Sequence, residues 1–449
     1  MMREPAFSLL PRPAKLELQG RRVLVLGLGD TGLSVARWAE QHGARVRVAD
    51  TRNAPPRQFA GDVRLGAFTA ALLEGVDLVC ISPGLSLADP LIAEALGRGI
   101  PVLGDVELFA WTHRAPVLAI TGTNGKSTVT ALAGHLLKDA GIDAEVAGNI
   151  APPVLEAAMK RSTPPAAWVL ELSSYQLETA WSLNPRAAAM LNLTEDHLDR
   201  YAGIDEYAAA KARIFQGDGI QILNRDDVVS VAMALPGRRV MSFGLDKPQT
   251  GDAFGLTQGW LVEGGARIME AAALPIHGAH NISNALAACA LVRAFGVPRG
   301  QLATGLKSFR GLPHRLELVA KRQGVDWYDD SKGTNVGATI AALRGLGKKA
   351  VLILGGDGKG QDFSPLREPV REFASRVLLI GRDAGLLEAA LAGLPSERCA
   401  SLEAAVQRAA ALAKAGEAVL LSPACASFDM FRDYKHRGET FAAAVRALA

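Results

Sequence analysis

The sequence has no paired cysteines. Its four, Cys80, Cys289, Cys399 and Cys425, are scattered and form no CxxC, which argues against a disulfide framework or a zinc site and leaves buried free thiols as the expectation. It has no run of about 18 uncharged apolar residues, so no membrane-spanning helix is expected. Residues 1–15 carry only a short apolar run before Pro11 and Pro13, without the apolar segment and small-residue cleavage site of a secretory signal. A loose leader over residues 1–17 of a cytoplasmic protein is expected. There is no basic stripe either: 49 Lys and Arg against 46 Asp and Glu leave a net charge of +3 spread along the chain, unlike the concentrated patch of a nucleic-acid binder. No internal repeat with a period of 20–50 residues is present, as a solenoid would require.

What remains is a chain of 449 residues, too long for one core, so two to four domains are expected. Short apolar runs alternate with helical patterns from end to end, which predicts parallel-sheet α/β domains. In the first segment strands are expected at 22–26, 45–49 and 77–81, and helices at 31–41 and 90–98, stopped by Gly43 and Gly99. A second unit opens near Ala115 with a strand at 117–121, a glycine-bearing loop, a helix at 126–140 and a further strand at 168–172. The glycine-rich stretch 238–274 reads as a β-type excursion. A third unit, from 311–315 onward, should carry strands at 325–328, 350–354, 376–380 and 418–421.

The strongest local signal is the stretch 120–128, ITGTNGKST. A strand runs into a loop whose glycines, Gly122 and Gly125, let backbone N–H groups face a phosphate, and the following helix aims its positive end at the same point. Thr123, Asn124 and Thr128 complete the loop, Lys126 can reach terminal phosphates, and the Ser127 hydroxyl can ligate Mg²⁺. A helix terminus contributes only about 0.3–1 kcal/mol to an anion, whereas micromolar binding needs about 8 kcal/mol; lysine, metal and loop amides must supply the rest. The spacing differs from the usual P-loop in having Ile120, not glycine, six residues before Lys126.

A second glycine-rich turn, Gly27-Leu28-Gly29-Asp30-Thr31-Gly32, follows the first strand, and Asp50 ends the next one. That layout suits a dinucleotide, a nucleotide sugar or a plain tight turn. A dehydrogenase would not need the second phosphate loop, which favours two nucleotides of different kinds, one per domain. Beyond the phosphate loop, Glu171 ends a strand and is placed to hold Mg²⁺. His197 lies in an acidic run, as a metal ligand, an orienting group or a surface histidine, and Lys211 lies on a helix.

The motifs GTNGKST, LELSSYQLE, LNLTEDHLDR and AAKARIF, followed by HNISN at 280–284, GLPHR at 311–315, DSKGTN at 330–335, GGDGK at 355–359 and LSPACAS at 421–427, resemble in the same order those of the Mur ligases, over nearly the whole chain after Leu18. The resemblance implies an α/β protein of three domains: a Rossmann-like UDP-binding domain over 1–108, a central P-loop ATPase-type domain over 109–311 and a C-terminal Rossmann-like domain over 312–449. It further implies a magnesium-dependent ligase, working as a monomer without nucleic-acid or membrane partners. Its substrates would be ATP, D-glutamate and UDP-N-acetylmuramoyl-L-alanine, joined through an acyl phosphate.

By the same resemblance, Asp30, Thr31, Asp50, Thr51, Arg52, Gly84, Asn149 and His197 would line the UDP-linked substrate. Asn281, His314 and Asp330 would meet the adenosine of ATP, and Arg315 its phosphates. Lys126, Glu171, His197, Lys211 and Lys332 would be the catalytic set. Metal would sit on Ser127, Glu171, His197 and Lys211, the last as a carbamate. Thr334, Lys359, Ser427 and Tyr434 would frame the glutamate, with Ser427 alternatively an N-cap of the last helix. Tyr434 stands where this family often has phenylalanine, and Gly333 where alanine is common. Competing expectations are a folylpolyglutamate-type ligase, which would not need the first glycine turn and Asp50, an NAD-dependent oxidoreductase, which leaves Lys126, Glu171, Lys211 and Lys332 unexplained, and a nucleotide-binding scaffold without turnover.

Overall fold

The computed structural model describes residues 17–197, 200–276 and 278–448; the expected leader falls almost wholly outside them. Three sheets follow one another along the chain. The first has the order β3-β2-β1-β4-β5, with β1 Arg22–Leu26, β2 Arg45–Asp50, β3 Asp62–Leu65, β4 Leu78–Ile81 and β5 Val102–Leu103, all parallel. The second has nine strands in the order β14-β13-β12-β11-β10-β9-β6-β8-β7. Its parallel part holds β6 Val117–Thr121, β7 Ala144–Gly148, β8 Ala167–Glu171, β9 Ala187–Met190, β10 Ile220–Asn224, β11 Val240–Phe243 and β12 Ala253–Thr257. The third has the order β15-β16-β20-β17-β18-β19, comprising β15 Glu317–Arg322, β16 Val325–Asp329, β17 Ala350–Gly355, β18 Ala374–Ile380, β19 Ser396–Arg398 and β20 Ala418–Leu421, with only β15 antiparallel.

Central strands such as β6, β8 and β17 are buried at every position, because helices cover both faces of a parallel sheet and leave no polar side to alternate. The β-type excursion at 238–274 is β11 and the strands beyond it. β12, β13 Trp260–Glu263 and β14 Ala266–Glu270 pair antiparallel in sequence, with positive φ at Gln258 and Gly259 making the first two-residue turn.

The first and second units share a core. Residues of β1 and of the helix Asp30–Gln41 belong to the same buried cluster as β6 and β8. The helix Asp105–Thr112, buried from Asp105 to Trp111, lies in that seam, its Phe109 ring edge-on to Trp168 at 5.1 Å. Two of its carboxylates bind the middle unit: Glu107 accepts from the Trp181 and Ser182 amides at 2.8 and 3.1 Å, and Asp105 from Gln176 Nε2 at 3.2 Å. Of the four free cysteines, Cys80, Cys289 and Cys425 are buried and Cys399 half-buried. No helix among the described residues is long and apolar enough to cross a membrane.

Candidate active site

Ligands of open α/β sheets gather outside the carboxyl ends of the strands. Here the loops leaving β1, β2, β4, β6, β7, β8, β9, β16 and β17 converge on one cleft of about 810 Å³. All three units contribute: Asp30, Thr31, Asp50, Thr51, Arg52 and Gly84 from the first, Asn124 to Ser127, Asn149, Glu171, His197 and Lys211 from the second, and Arg315, Lys332, Thr334 and Lys359 from the third.

The glycine turn of the first unit is tight for a definable reason. A Cβ on Gly32 would lie 1.8 Å from the Gly27 carbonyl oxygen, so only glycine lets the helix start this close to the strand. Asp50 braces the same turn. One of its oxygens accepts from Leu28 N (2.6 Å) and Arg52 Nη2 (2.7 Å), the other from Arg52 N (2.9 Å) and Nε (2.8 Å). Those four bonds use the whole acceptor capacity of a carboxylate, and the Arg52 bonds hold its pKa at about 2. No lone pair is left for a ribose diol, the role this residue has in a dinucleotide site.

The phosphate loop is pinned from below. Thr123 N donates to Asn192 O (2.9 Å), Asn124 N to Asn192 Oδ1 (2.9 Å), and Thr123 Oγ1 to Thr194 O (3.1 Å). Gly125, at φ 83°, is the N-cap of the helix Lys126–Asp139; a side chain there would be strained and would meet Asn284 Oδ1 at 2.4 Å. Lys126 Nζ curls back to the carbonyls of Gly122 (2.9 Å) and Thr123 (2.8 Å), and burial lowers its pKa. Ser127 Oγ accepts from Arg315 Nη2 at 2.6 Å, and Asn335 Nδ2 donates to Asn124 Oδ1 at 3.2 Å. The third unit thus touches the phosphate loop directly.

Opposite the loop, Glu171 Oε1 accepts from Asn149 Nδ2 at 2.6 Å, while Oε2 is buried with no hydrogen-bond partner among the described residues. A buried carboxylate oxygen without a donor is costly unless a cation fills the place. His197 pairs through Nδ1 with Tyr175 Oη at 2.7 Å, its Nε2 lying 3.8 Å from Asp196; burial lowers its pKa. Lys211 is wholly inside, Nζ donating to Gly122 O at 2.9 Å and lying 4.6 Å from the Tyr207 ring centroid. Burial, then the charge of Lys126, push its pKa well below the usual lysine value. Lys332 lies over the Tyr434 ring at 3.9 Å, and burial, with Arg315 beside it, brings its pKa down to about 8. The cleft is therefore crowded with cations that lack full compensation, as a site for two anionic substrates requires.

Several expected site residues lie behind the cleft lining. Gly122, Thr123 and Thr128 shape the loop from beneath. Asn281 Oδ1 accepts from Asn284 Nδ2 at 3.1 Å, next to Gly125. His314 Nδ1 is 2.7 Å from Asp329 Oδ2, which raises the histidine pKa. Asp330 is buried, accepting from Ser422 Oγ (2.7 Å) and Leu316 N (3.2 Å), and burial lifts its pKa to about 7. Tyr434 supports Lys332 from the side. Ser427 does not cap the last helix: Asp433 does, accepting from His436 N, because the turn after Ser427, closed by Met430 and Phe431 N–H groups on its carbonyl, delays the helix to Tyr434–Arg446. Sequence reasoning missed Tyr175, Asp196, Asn335, Gln361 and the buried Arg437. Arg437 donates to Ser331 O at 2.8 Å and Cys425 O at 3.1 Å, and so fixes the loop that carries Lys332. Tyr175 and Asp196 lie inside motifs quoted above and could have been found from their closeness to Glu171 and His197.

The phosphate loop, a buried Glu171 oxygen with no donor among the described residues and cations from three units together suit a nucleotide triphosphate, a divalent cation and a second anion. The N-terminal domain of MurD-like Mur ligases matches residues 21–104, the Mur ligase middle domain 120–292, and the Mur ligase glutamate ligase domain 314–425; the chain belongs to the Mur ligase family. A UDP-N-acetylmuramoylalanine–D-glutamate ligase of Nitrosospira multiformis is 55% identical, over 96% of this chain and 97% of its own length. The enzyme of the same name from Thiobacillus denitrificans is 54% identical, over 97% and 98%. Among solved structures, UDP-N-acetylmuramate-alanine ligase of Thermotoga maritima superposes with TM-score 0.61 at 18% identity over 95% of this chain and 99% of that one. A pseudomurein peptide ligase type C of Methanothermus fervidus does so with TM-score 0.60 at 18% identity over 90% and 96%. These last two share the fold.

Proposed function

We propose that the chain joins D-glutamate to UDP-N-acetylmuramoyl-L-alanine at the expense of ATP, a step of peptidoglycan precursor synthesis. The observation that carries the proposal is the cleft itself, which gathers the phosphate loop, the unpaired Glu171 oxygen and third-unit cations at one point. The near-identity in length with D-glutamate-adding relatives supports it. The division into units at 1–108, 109–311 and 312–449 goes with this reading, each sheet falling within one span and the helix Asp105–Thr112 packing across the first seam.

The alanyl carboxylate oxygen attacks the γ-phosphorus of ATP, the bond to ADP breaks, and an acyl phosphate forms. The α-amine of glutamate then attacks the acyl carbon, inorganic phosphate leaves, and the amine gives up a proton as the amide forms. Lys126 and Arg315 offset charge on the phosphates, and Lys332, steadied by Tyr434, sits where it can follow the transferred group. Arg52, oriented by Asp50, serves the uridine diphosphate with Asp30, Thr31, Thr51, Gly84 and Asn149. Thr334 and Lys359 receive the glutamate, with Ser427 and Tyr434 behind them, and Asn281, His314 and Asp330 shape the adenosine end. Magnesium fits the donor set: Ser127 Oγ, the Glu171 oxygen without a donor, His197 Nε2 and a carbamate on Lys211 would hold it, and it would supply Lewis-acid charge withdrawal from the phosphates. Lys211, buried and low in pKa, has the chemistry to become that carbamate.

The direct test is phosphate release from ATP with UDP-N-acetylmuramoyl-L-alanine and D-glutamate, L-glutamate, glycine or no amino acid. Release that needs both substrates and D-glutamate is expected. Release with L-glutamate would redirect attention to Gly333 and Tyr434, and none with any acceptor from folded, magnesium-loaded protein would refute the substrate assignment.

A pH profile tests Lys332 separately. Its charged form is lost as pH rises through about 8 in the free enzyme, so kcat/KM for ATP should fall on that alkaline limb. Lys332→Arg, charged throughout the range, should lower the plateau and abolish the limb. An unchanged limb in that variant would remove Lys332 as its source.

A further inference from the structure

We propose that Arg200 is a positioning residue for this reaction: one guanidinium sets the Tyr175–His197 pair of the middle unit and the turn at 82–85 of the first unit in a single register. The inference rests on the substrate reading above and adds a residue that lies outside the cleft lining.

Arg200 stands three residues beyond His197, and its N–H donates to the His197 carbonyl at 3.0 Å, as that of Tyr201 does at 3.2 Å. His197 itself adopts φ 57°, a conformation that costs a non-glycine residue energy and persists only where surroundings over-determine it. The Arg200 side chain braces those surroundings through Tyr175 and the turn at 82–85. Nη1 donates to Pro83 O at 3.2 Å and Leu85 O at 2.8 Å. Nη2 pairs with Glu178, whose other oxygen accepts from Tyr201 Oη at 2.6 Å. The guanidinium lies over the Tyr175 ring, 4.3 Å from its centroid, and that tyrosine's hydroxyl meets His197 Nδ1 at 2.7 Å.

The Arg200 side chain is only 13% exposed and its partner Glu178 16%, so this pairing is not a solvent-screened surface contact. The two carbonyls belong to a turn whose Pro83, Gly84 and Leu85 line the nucleotide-sugar end of the cleft. Loss of the fork should therefore disturb that end and His197 together, while the phosphate loop, pinned independently by Asn192 and Thr194, stays in place. Lysine has one ammonium and no plane, so it can neither bridge both carbonyls and the carboxylate nor stack on the ring.

The test is steady-state kinetics on the full chain with ATP, UDP-N-acetylmuramoyl-L-alanine and D-glutamate. Arg200→Lys is expected to raise KM for the UDP-linked substrate by about tenfold and to lower kcat by about tenfold, with KM for ATP within about twofold of the parent. Tyr175→Phe, which keeps the ring and loses the hydroxyl, should lower kcat alone, and the double variant should lose less than the product of the two. Unchanged constants in folded Arg200→Lys, or a rise in both KM values together with a lowered Tm, would overturn the proposal. If Arg200→Lys does not fold, Glu178→Gln is expected to give the same selective rise for the UDP-linked substrate, and its absence would also overturn it. A parent enzyme that turns over no UDP-linked substrate would instead refute the reading on which the proposal rests.

Discussion

Lys126→Ala is expected to lower kcat by at least about 10³-fold and to weaken ATP binding, with little change in stability. Removing one donor aimed at developing charge in a water-poor site costs about 10²–10³ in rate. Lys126 is worth more than a neutral donor, because it opposes the charge of a nucleotide that must approach a second anion, the alanyl carboxylate. The fold should survive. The loop is held by Asn192 and Thr194 rather than by the lysine, which among the described residues hydrogen-bonds to two loop carbonyls, Gly122 and Thr123. Taking a buried cation out of reach of Lys211 and Arg315 also removes repulsion. Phosphate release and ATP binding measured on the same folded sample check this. Unaltered turnover would sink the assignment of the ATP site, whereas lost turnover with a collapsed Tm would mean that the lysine holds the loop and not the phosphate.

The parts of the molecule legible in the sequence are those whose signal is local. The phosphate loop is nine consecutive residues, and β6, β17 and β20 are apolar runs that a parallel sheet buries whole. Edge strands escaped. β3 reads DVRL and β15 reads ELVAKR, neither with a buried residue, and they are strands only because a neighbour offers hydrogen bonds. β9, AAAM, has a weak intrinsic preference for extended structure, which burial between β6 and β10 overrides. The site shows the same division. Glu171 stood out by ending a strand close to the phosphate loop, whereas Lys211 read on its own as a helix lysine and joined the site only through the family resemblance. The pair Asn335–Asn124 spans 211 residues, and the contacts of Arg200 with Pro83 and Leu85 span more than a hundred, so neither leaves a pattern in one sequence. The mistaken cap at Ser427 has a similar origin: serine followed by a helical pattern is a fair N-cap signal, but Asp433, nearer the helix, offers the stronger acceptor.

On the proposed carbamate, Lys211→Arg is expected to lower activity by about 10²-fold, the upper end of what disturbing a metal site costs, although it preserves the charge of a protonated lysine. An ammonium on Lys211 would be buried beside the cation Lys126, and both burial and that neighbour disfavour it. A neutral amine is the form that adds to carbon dioxide, the nitrogen bonding to carbon and one proton leaving, and the product is an anion. The exchange turns a repelled base into a counter-charge for Lys126 and a metal-ligating oxygen pair near the unpartnered Glu171 oxygen. Arginine cannot undergo it. The sign with pH follows: rising pH increases the neutral amine and favours the carbamate, and acid reverses it. Enzyme held at low pH and stripped of carbon dioxide should therefore lose activity and regain it when bicarbonate is added at higher pH. Carbon-13 bicarbonate should give a carbamate signal in the parent chain that is missing in Lys211→Arg. An unmodified Lys211 in fully active, bicarbonate-treated enzyme would overturn the carbamate and leave Ser127, Glu171 and His197 to hold the metal alone.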